Sequence, residues 1–328
     1  MSTTDVRLVP ARRLVEAPVD AVFALTPGDR PVVAAGDSVV VGAPIAERLR
    51  DPRLDEMEIP EAAAPSPGGR WVGLPRRGEG RLPDGEFVFE WNERWRVATG
   101  DIADALESPF AGIVREVRPG TRITIRAAGR GIRGVVALGG STRGRLQTGA
   151  DGELRSGGLD VGSAGTVLVV GSRVDAETLT RARAMGVRGV VVAALSSTER
   201  RDFLASEARQ RAALHRLPSF AVLVLDGATR RPLAGAVQAI LAALAGHEVA
   251  IVTDPPMLIF DLPNLVIPDP PADLVRIRSG SLAGREGRFV RAIGPRRFAG
   301  GVQLEAGIIH LPDGTTAAVP LGDLERFV

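Results

Sequence analysis

Between residues 165 and 253 the chain alternates compact apolar runs with amphipathic stretches, and this change of period constrains the fold more than any other feature. "TVLVVGS" (166–172) reads as a buried strand, "DAETLTRARAMG" (175–186) as a helix, and "VRGVVVAAL" (187–195) as a second strand. The helix has its own signals, an aspartate at the start to accept a free amide and a glycine at the end to leave the helical conformation. The alternation continues through an arginine-rich helix over 199–213, the strand "FAVLVLDG" (220–227), a helix within "RPLAGAVQAILAALAG" (231–246) and a fourth strand, "EVAIVT" (248–253). Apolar strands joined by helices predict a small parallel α/β layer over 163–254.

On both sides of this layer the period is that of strands. Residues 19–47, "VDAVFALTPGDRPVVAAGDSVVVGAPIAE", alternate β-branched runs with Gly and Asp turn signals, and the pattern returns in "SPFAGIVREVRPGTRITIRAAGRGIRGVVALGG" (108–140). Residues 1–50 plus 106–150 are therefore expected to form one β domain. Residues 51–105 form a Pro/Gly-rich excursion with a β segment in "GEFVFEWNERWRVATG". A proline-rich linker over 255–272, ending in "DLPNLVIPDPPAD", separates the α/β layer from a C-terminal module at 273–328 with strands broken by glycines. The expected class is multi-domain α+β.

Composition removes whole mechanisms. All 41 basic side chains are arginines, and cysteine and tyrosine are absent too. Without lysine there is no Schiff base, no complete Walker A loop and no attachment point for biotin or lipoate; without cysteine there is no thiolate nucleophile, disulfide or thiolate metal site. The formal charge of +2 over 328 residues is not that of a polyanion-binding chain as a whole, so a basic function has to be local. The N-terminus lacks a signal-peptide pattern and Leu233–Gly246 is too short to span a bilayer, which predicts a cytoplasmic protein without membrane attachment.

Two resemblances follow from these residues. "VVAAGDSVVVGAPIAE" with "SPFAGIVREVRPGTRITI" resembles the barrel-sandwich hybrid fold of biotinyl and lipoyl domains: Gly36 and Asp37 make one hairpin turn, Gly42 the next, and Ser108, Pro109 and Gly112 lead into the mirrored half. The missing lysine makes it resemble a non-carrier relative. The final 55 residues resemble the KOW-type SH3-like barrel of transcription elongation factors and ribosomal proteins, through Val275, Arg276, Ile277, Gly280, Leu282, Ala283, Gly284, Gly287, Phe289, Val290 and the closing "AAVPLGDLERF". That likeness implies binding to RNA, DNA or a nucleoprotein complex, and equally to protein partners.

The segment 276–297 carries seven arginines (Arg276, Arg278, Arg285, Arg288, Arg291, Arg296 and Arg297) against Glu286 alone, a local charge of +6. Clustered guanidiniums suit phosphate contacts, and Gly280, Gly284 and Gly287 serve as the motif's turns. Dispersal of the same charges over a solvated surface is the competing reading. "GRGIRG" (129–134) has the glycine spacing of a dinucleotide fingerprint, but β-like sequence on both sides makes it a turn between strands. At "VVGSRVDAET", Gly171, Ser172 and the helix start offer an anion cradle, unless Asp175 satisfies the same amides itself.

His215, His247 and His310 lack metal-ligand spacing, and Asp55, Glu56, Glu58 and Glu61 read as a solvated acidic loop. Trp71, Trp91 and Trp95 either pack the excursion onto the β unit or anchor a partner. No catalytic residue, cofactor or metal site is expected. The function expected is non-catalytic attachment to nucleic acid or a nucleoprotein machine through the basic C-terminal module. The alternatives are an assembly or scaffold protein, and an enzyme or small-ligand sensor using the α/β layer.

Overall fold

The computed structural model describes residues 3–26, 29–49, 53–56, 79–81, 87–91, 94–99, 102–118, 120–149, 159, 161–213, 219–267 and 269–328. Trp71, Glu58, Glu61 and His215 lie outside them, and of Asp55, Glu56, Trp91 and Trp95 the backbone alone is described. The protein is mostly β, with several sheets. The chain divides into two compact units, one of Ala17–Gly131 with Ala250–Asp261 and one of Met1–Glu16, Ile132–Val249 and Leu262–Val328.

In the smaller unit, Val19–Ala24, Arg122–Ala127, Gly112–Arg118 and Ser38–Val39 form a four-stranded sheet in that order, and Ile102–Glu107, Pro44–Leu49 and Arg30–Pro31 a three-stranded one. The period-2 pattern turns Val19, Ala21 and Phe23 inward, where they join Ile45, Phe110, Val114, Ile123 and Ile125 in a single core. The expected hairpin turn at Gly36 and Asp37 is present: Gly36 has φ +93°, and the Asp37 carboxylate accepts the Ala34 amide at 2.8 Å. The stretch 51–105, expected to hold one β segment, contributes a four-stranded antiparallel sheet by adding Arg53–Glu56 and Glu79–Arg81 to Phe87–Trp91 and Arg94–Thr99. "GRGIRG" opens on a bend and runs into the strand Arg130–Arg133; a Cβ at Gly129 would lie 2.2 Å from the Phe260 carbonyl oxygen.

The larger unit contains the α/β layer. Strands β1 (Thr142–Thr148), β2 (Thr166–Arg173), β3 (Gly189–Ala194) and β4 (Ala221–Gly227) run parallel in chain order, with Val136–Gly139 antiparallel along β4. Every residue of β3 is buried, as expected for a parallel strand covered on both faces. Helices α1 (Ala176–Ala184) and α2 (Ser197–Ala213) bring Leu179, Ala182 and Phe203 onto Leu168, Val170, Val190, Val192 and Val222; α3 (Gly235–Ala243) follows β4. One expectation needs correction. Glu248–Thr253 is the fourth strand expected, and the chain then reverses at Asp254–Pro255 and pairs it antiparallel with Pro256–Phe260. The linker expected from 255 therefore starts only after Phe260. Met257, Leu258, Ile259 and Phe260 are buried, and burying four such side chains at about 1.5–3 kcal/mol each outweighs the turn preference of the prolines beside them.

The C-terminal residues form a meander of β5 (Leu274–Ile277), β6 (Glu286–Arg297), β7 (Gln303–His310) and β8 (Thr316–Pro320). After a 3-10 turn at Leu321–Asp323, β9 (Leu324–Phe327) returns beside β5, giving the order β9-β5-β6-β7-β8. Ala11–Arg12 adds a short parallel strand along β9. Val275, Ile277, Phe289, Ile309, Leu311, Val319 and Leu324 fill the core.

This sheet is joined to the end of β4 by a buried charge network. Asp226, whose side chain is 4% exposed, accepts Arg12 at 2.6 Å on one carboxylate oxygen and Arg276 at 2.9 Å on the other. Arg276 also donates to the Pro232 carbonyl at 2.5 Å, and Glu325 lies 3.7 Å from it. Arg231 closes the network by donating to the Asp226 and Arg278 carbonyls; burial holds its guanidinium below the ordinary arginine value, against the pull of the Asp226 charge. Removing one partner of such a cluster strands a charge out of water. Asp226→Asn is expected to destabilise folding by about 3–5 kcal/mol in urea denaturation, while Arg201→Ala, which breaks the exposed pair with Asp202, changes it by less than about 0.5 kcal/mol. Equal losses in the two variants would contradict this role of the network.

Candidate nucleic-acid interface

The seven arginines of 276–297 do not form one patch, because the structure assigns them three different fates. Arg276 is fully buried in the Asp226 network, so it is withdrawn from the surface and is not available to a nucleic acid. Arg285 is half-buried and pairs with Asp313 at 2.5 Å across the β5–β6 and β7–β8 turns. Arg278, Arg288, Arg291, Arg296 and Arg297 are exposed. Of these five, Arg288 has an acid only at 4.0 Å, from Asp273, and is 75% exposed; the other four have no ion-pair partner among the described residues.

Local structure explains the division. β5 buries Val275, Arg276 and Ile277 in succession, sandwiched between β6 and β9. On β6, Gly287 and Phe289 point inward while Arg288 and Val290 point out; register shifts between Phe289 and Arg291 and between Ala292 and Gly294 then re-aim the strand, so that Arg291 is exposed as well. The glycines have the turn and close-approach roles expected of them. Gly280 and Gly284 have φ of +80° and +88°, and a Cβ at Gly287 would lie 2.6 Å from the His310 carbonyl oxygen.

Glu286, the single acid of the stretch, does not neutralise its arginine neighbours. Its carboxylate accepts the Gly235 amide at 2.8 Å at the start of α3, a helix whose N-cap residue, Ala234, has no side-chain acceptor. It thereby satisfies a free amide and sits at the positive end of the helix. Sequence reading could not have found this role, because the helix it caps begins fifty-one residues upstream.

The other candidate sites are filled or lack convergent chemistry. At the α1 start, Asp175 accepts the Thr178 amide at 2.6 Å and Glu199 accepts the Ala176 amide at 2.7 Å, so the protein's own carboxylates occupy the anion cradle. A cleft of about 520 Å³ in the larger unit is lined by Arg145, Gln147, Thr148, Thr166 and Glu248, among others. It sits between the second half of β1 and the start of β2, and its lining includes no histidine. Among the described residues no helix is long and apolar enough to cross a membrane. No protein-family model matches the chain, and no curated protein matches it.

Thr315, through its hydroxyl (2.5 Å) and amide (2.9 Å), and then Arg285 hold the Asp313 carboxyl well below the usual aspartate range. A depressed carboxyl keeps its partner at every pH above its own midpoint. Arg285 therefore stays paired through the neutral range and is released only in acid. Titration of the Asp313 carboxyl carbon by NMR should give a midpoint below the ordinary value of about 3.9, and Arg285→Ala should move it upward without restoring that value, since Thr315 remains. A midpoint at the ordinary value in the unaltered protein would contradict the pairing.

Proposed function

We propose that this is a multi-domain α+β protein that attaches to nucleic acid, or to the nucleic-acid surface of a nucleoprotein machine, through Arg278, Arg288, Arg291, Arg296 and Arg297 of its C-terminal sheet. The observation that carries the reading is the grouping of five exposed arginines within one segment of twenty residues, 278–297. Elsewhere some guanidiniums sit in close pairs, Arg126 with Asp20, Arg133 with Glu16, and Arg118 and Arg122 with Glu116, and exposed ones without an ion pair among the described residues, such as Arg7, Arg143 and Arg200, lie far apart in sequence. On β6 the nearby acid is diverted to a helix start and the cations are left open to solvent. Open guanidiniums grouped in one segment are the arrangement that binds phosphate, releasing its counterions.

The module reading has its own support. A five-strand meander in the order β9-β5-β6-β7-β8, with a 3-10 turn before the last strand, supports an SH3-like barrel with a KOW-type opening between β5 and β6. The sheet that holds Val19–Ala24 and the sheet that holds Pro44–Leu49, around one core and turned at Gly36 and Gly42, support a non-carrier barrel-sandwich hybrid.

The test is fluorescence anisotropy of labelled duplex DNA and RNA across a range of salt. Five phosphate contacts give a slope of log K against log salt of about −4 to −5, and each single alanine substitution at Arg288, Arg291, Arg296 or Arg297 should lower its magnitude by about one. Arg201→Ala should leave it unchanged. Failure of the unaltered protein to bind either probe at low salt would overturn the proposal.

A further inference from the structure

We infer that the far end of the β6–β7 hairpin, residues 295–305, is a β-ribbon that enters the major groove of B-form duplex DNA. This rests on the proposed nucleic-acid attachment and narrows it to one class of partner.

The hairpin outruns the core it grows from. Phe289 and Ile309 belong to the barrel core, but beyond Ala306 the register pairs Pro295 with Glu305, Arg296 with Leu304 and Arg297 with Gln303, and all six of these residues are exposed. Neighbouring strand residues point to opposite faces, so Arg296 and Leu304 share one face and Arg297 and Gln303 the other. Both faces therefore lie in solvent and each carries one arginine. Apolar surface is left in water with them: Val302 is 54% exposed and Leu304 43%. The end closes through hydrogen bonds from the Phe298 amide to the Val302 carbonyl (2.9 Å) and from the Gly301 amide to the Phe298 carbonyl (3.0 Å), with Gly300 and Gly301 at φ +83° and +79°. Ala299, Gly300 and Gly301 give the tip no side chain larger than a methyl group.

Charges on opposed faces do not suit a flat polyanion surface, which meets one face only. They suit a groove, which has a phosphate wall on each side. A ribbon with side chains on both faces is about 10 Å thick, the spacing of packed sheets. The B-DNA major groove is about 12 Å wide and about 8.5 Å deep and accepts it, while the minor groove, at about 6 Å, does not. The A-form RNA major groove is too narrow for side chains to read, and single strands call for exposed aromatic platforms. The ribbon's aromatic residue, Phe298, is half-buried, and the chain has no tyrosine. Inserted tip first, the ribbon sets Arg296 against one wall and Arg297 against the other, while Val302 and Gln303 reach the floor. There a valine methyl meets a thymine methyl and a glutamine amide pairs with an adenine edge. Arg297 Nε donates to the Gly301 carbonyl at 3.4 Å, which orients its guanidinium beside the tip. Glu305, the acid of the ribbon, lies at its base.

The test compares three duplexes of one sequence: DNA, RNA, and DNA whose cytosines are glucosylated 5-hydroxymethylcytosines, which fill the major groove and leave phosphates and minor groove intact. The unaltered protein should bind plain DNA about tenfold more tightly than either of the others, the scale of one lost set of groove contacts. Val302→Ala/Gln303→Ala, which changes no charge and no core residue, should bind all three alike at the weaker level. If glucosylated DNA binds as tightly as plain DNA, or the double variant keeps the preference, the ribbon does not enter the groove, while salt-dependent binding to all three leaves phosphate attachment standing. Binding to none overturns both.

Discussion

The carboxylate of Asp226 is the point on which the larger unit depends. It stands at the end of a parallel strand and takes a guanidinium on each oxygen, one from the short N-terminal strand and one from β5. Charges removed from water are tolerated when paired with opposite charge and supported by hydrogen bonds, and here the Leu225 and Pro232 carbonyls add acceptors for Arg12 and Arg276. Segments more than two hundred residues apart in sequence meet at this one side chain. Hydrophobic packing alone would allow the meander to slide on the α/β layer, whereas paired charges have one geometry that satisfies them.

That anchoring also determines which side chains of the sheet face solvent. Once Arg276 is committed inward, the hydrogen-bonded register of β5 with β6 fixes Gly287 and Phe289 as core positions and turns Arg288 outward. Glu286, at the head of β6, is drawn to the start of α3, which fixes that strand's beginning and removes the stretch's own acid from its arginines. Anchoring and exposure are thus two results of one register. The residues that hold the sheet in place leave its remaining cations open to solvent.

Much of this was written locally in the sequence. The period change at 165, the Asp175 cap, the Gly186 stop and the hairpin turns at Gly36 and Gly42 were readable, because each signal and its structural consequence lie within a few residues of one another. What escaped reading depends on partners far along the chain. Arginine is among the residues least often fully buried, so nothing near Arg276 marks it as internal; the reason is Asp226, fifty residues away. Pro256–Phe260 escaped because prolines announce a turn, whereas the four apolar residues after them find a strand to pair with only in the folded chain. The ribbon was hidden for a third reason. The alternation of "GRFVRAIGPRR" suggests one wet face and one dry face, and the register shifts that end this regularity are set by pairing with β7.

The most direct measurement is chemical modification of arginine by a diketone reagent, read residue by residue by mass spectrometry, with and without duplex DNA. In the free protein Arg278, Arg288, Arg291, Arg296 and Arg297 should react quickly and Arg276 should not; with DNA present the five should be protected together while exposed arginines elsewhere, such as Arg201, stay reactive. Reaction of Arg276 in the folded protein, or DNA that protects Arg201 as much as Arg296 and Arg297, would contradict the account.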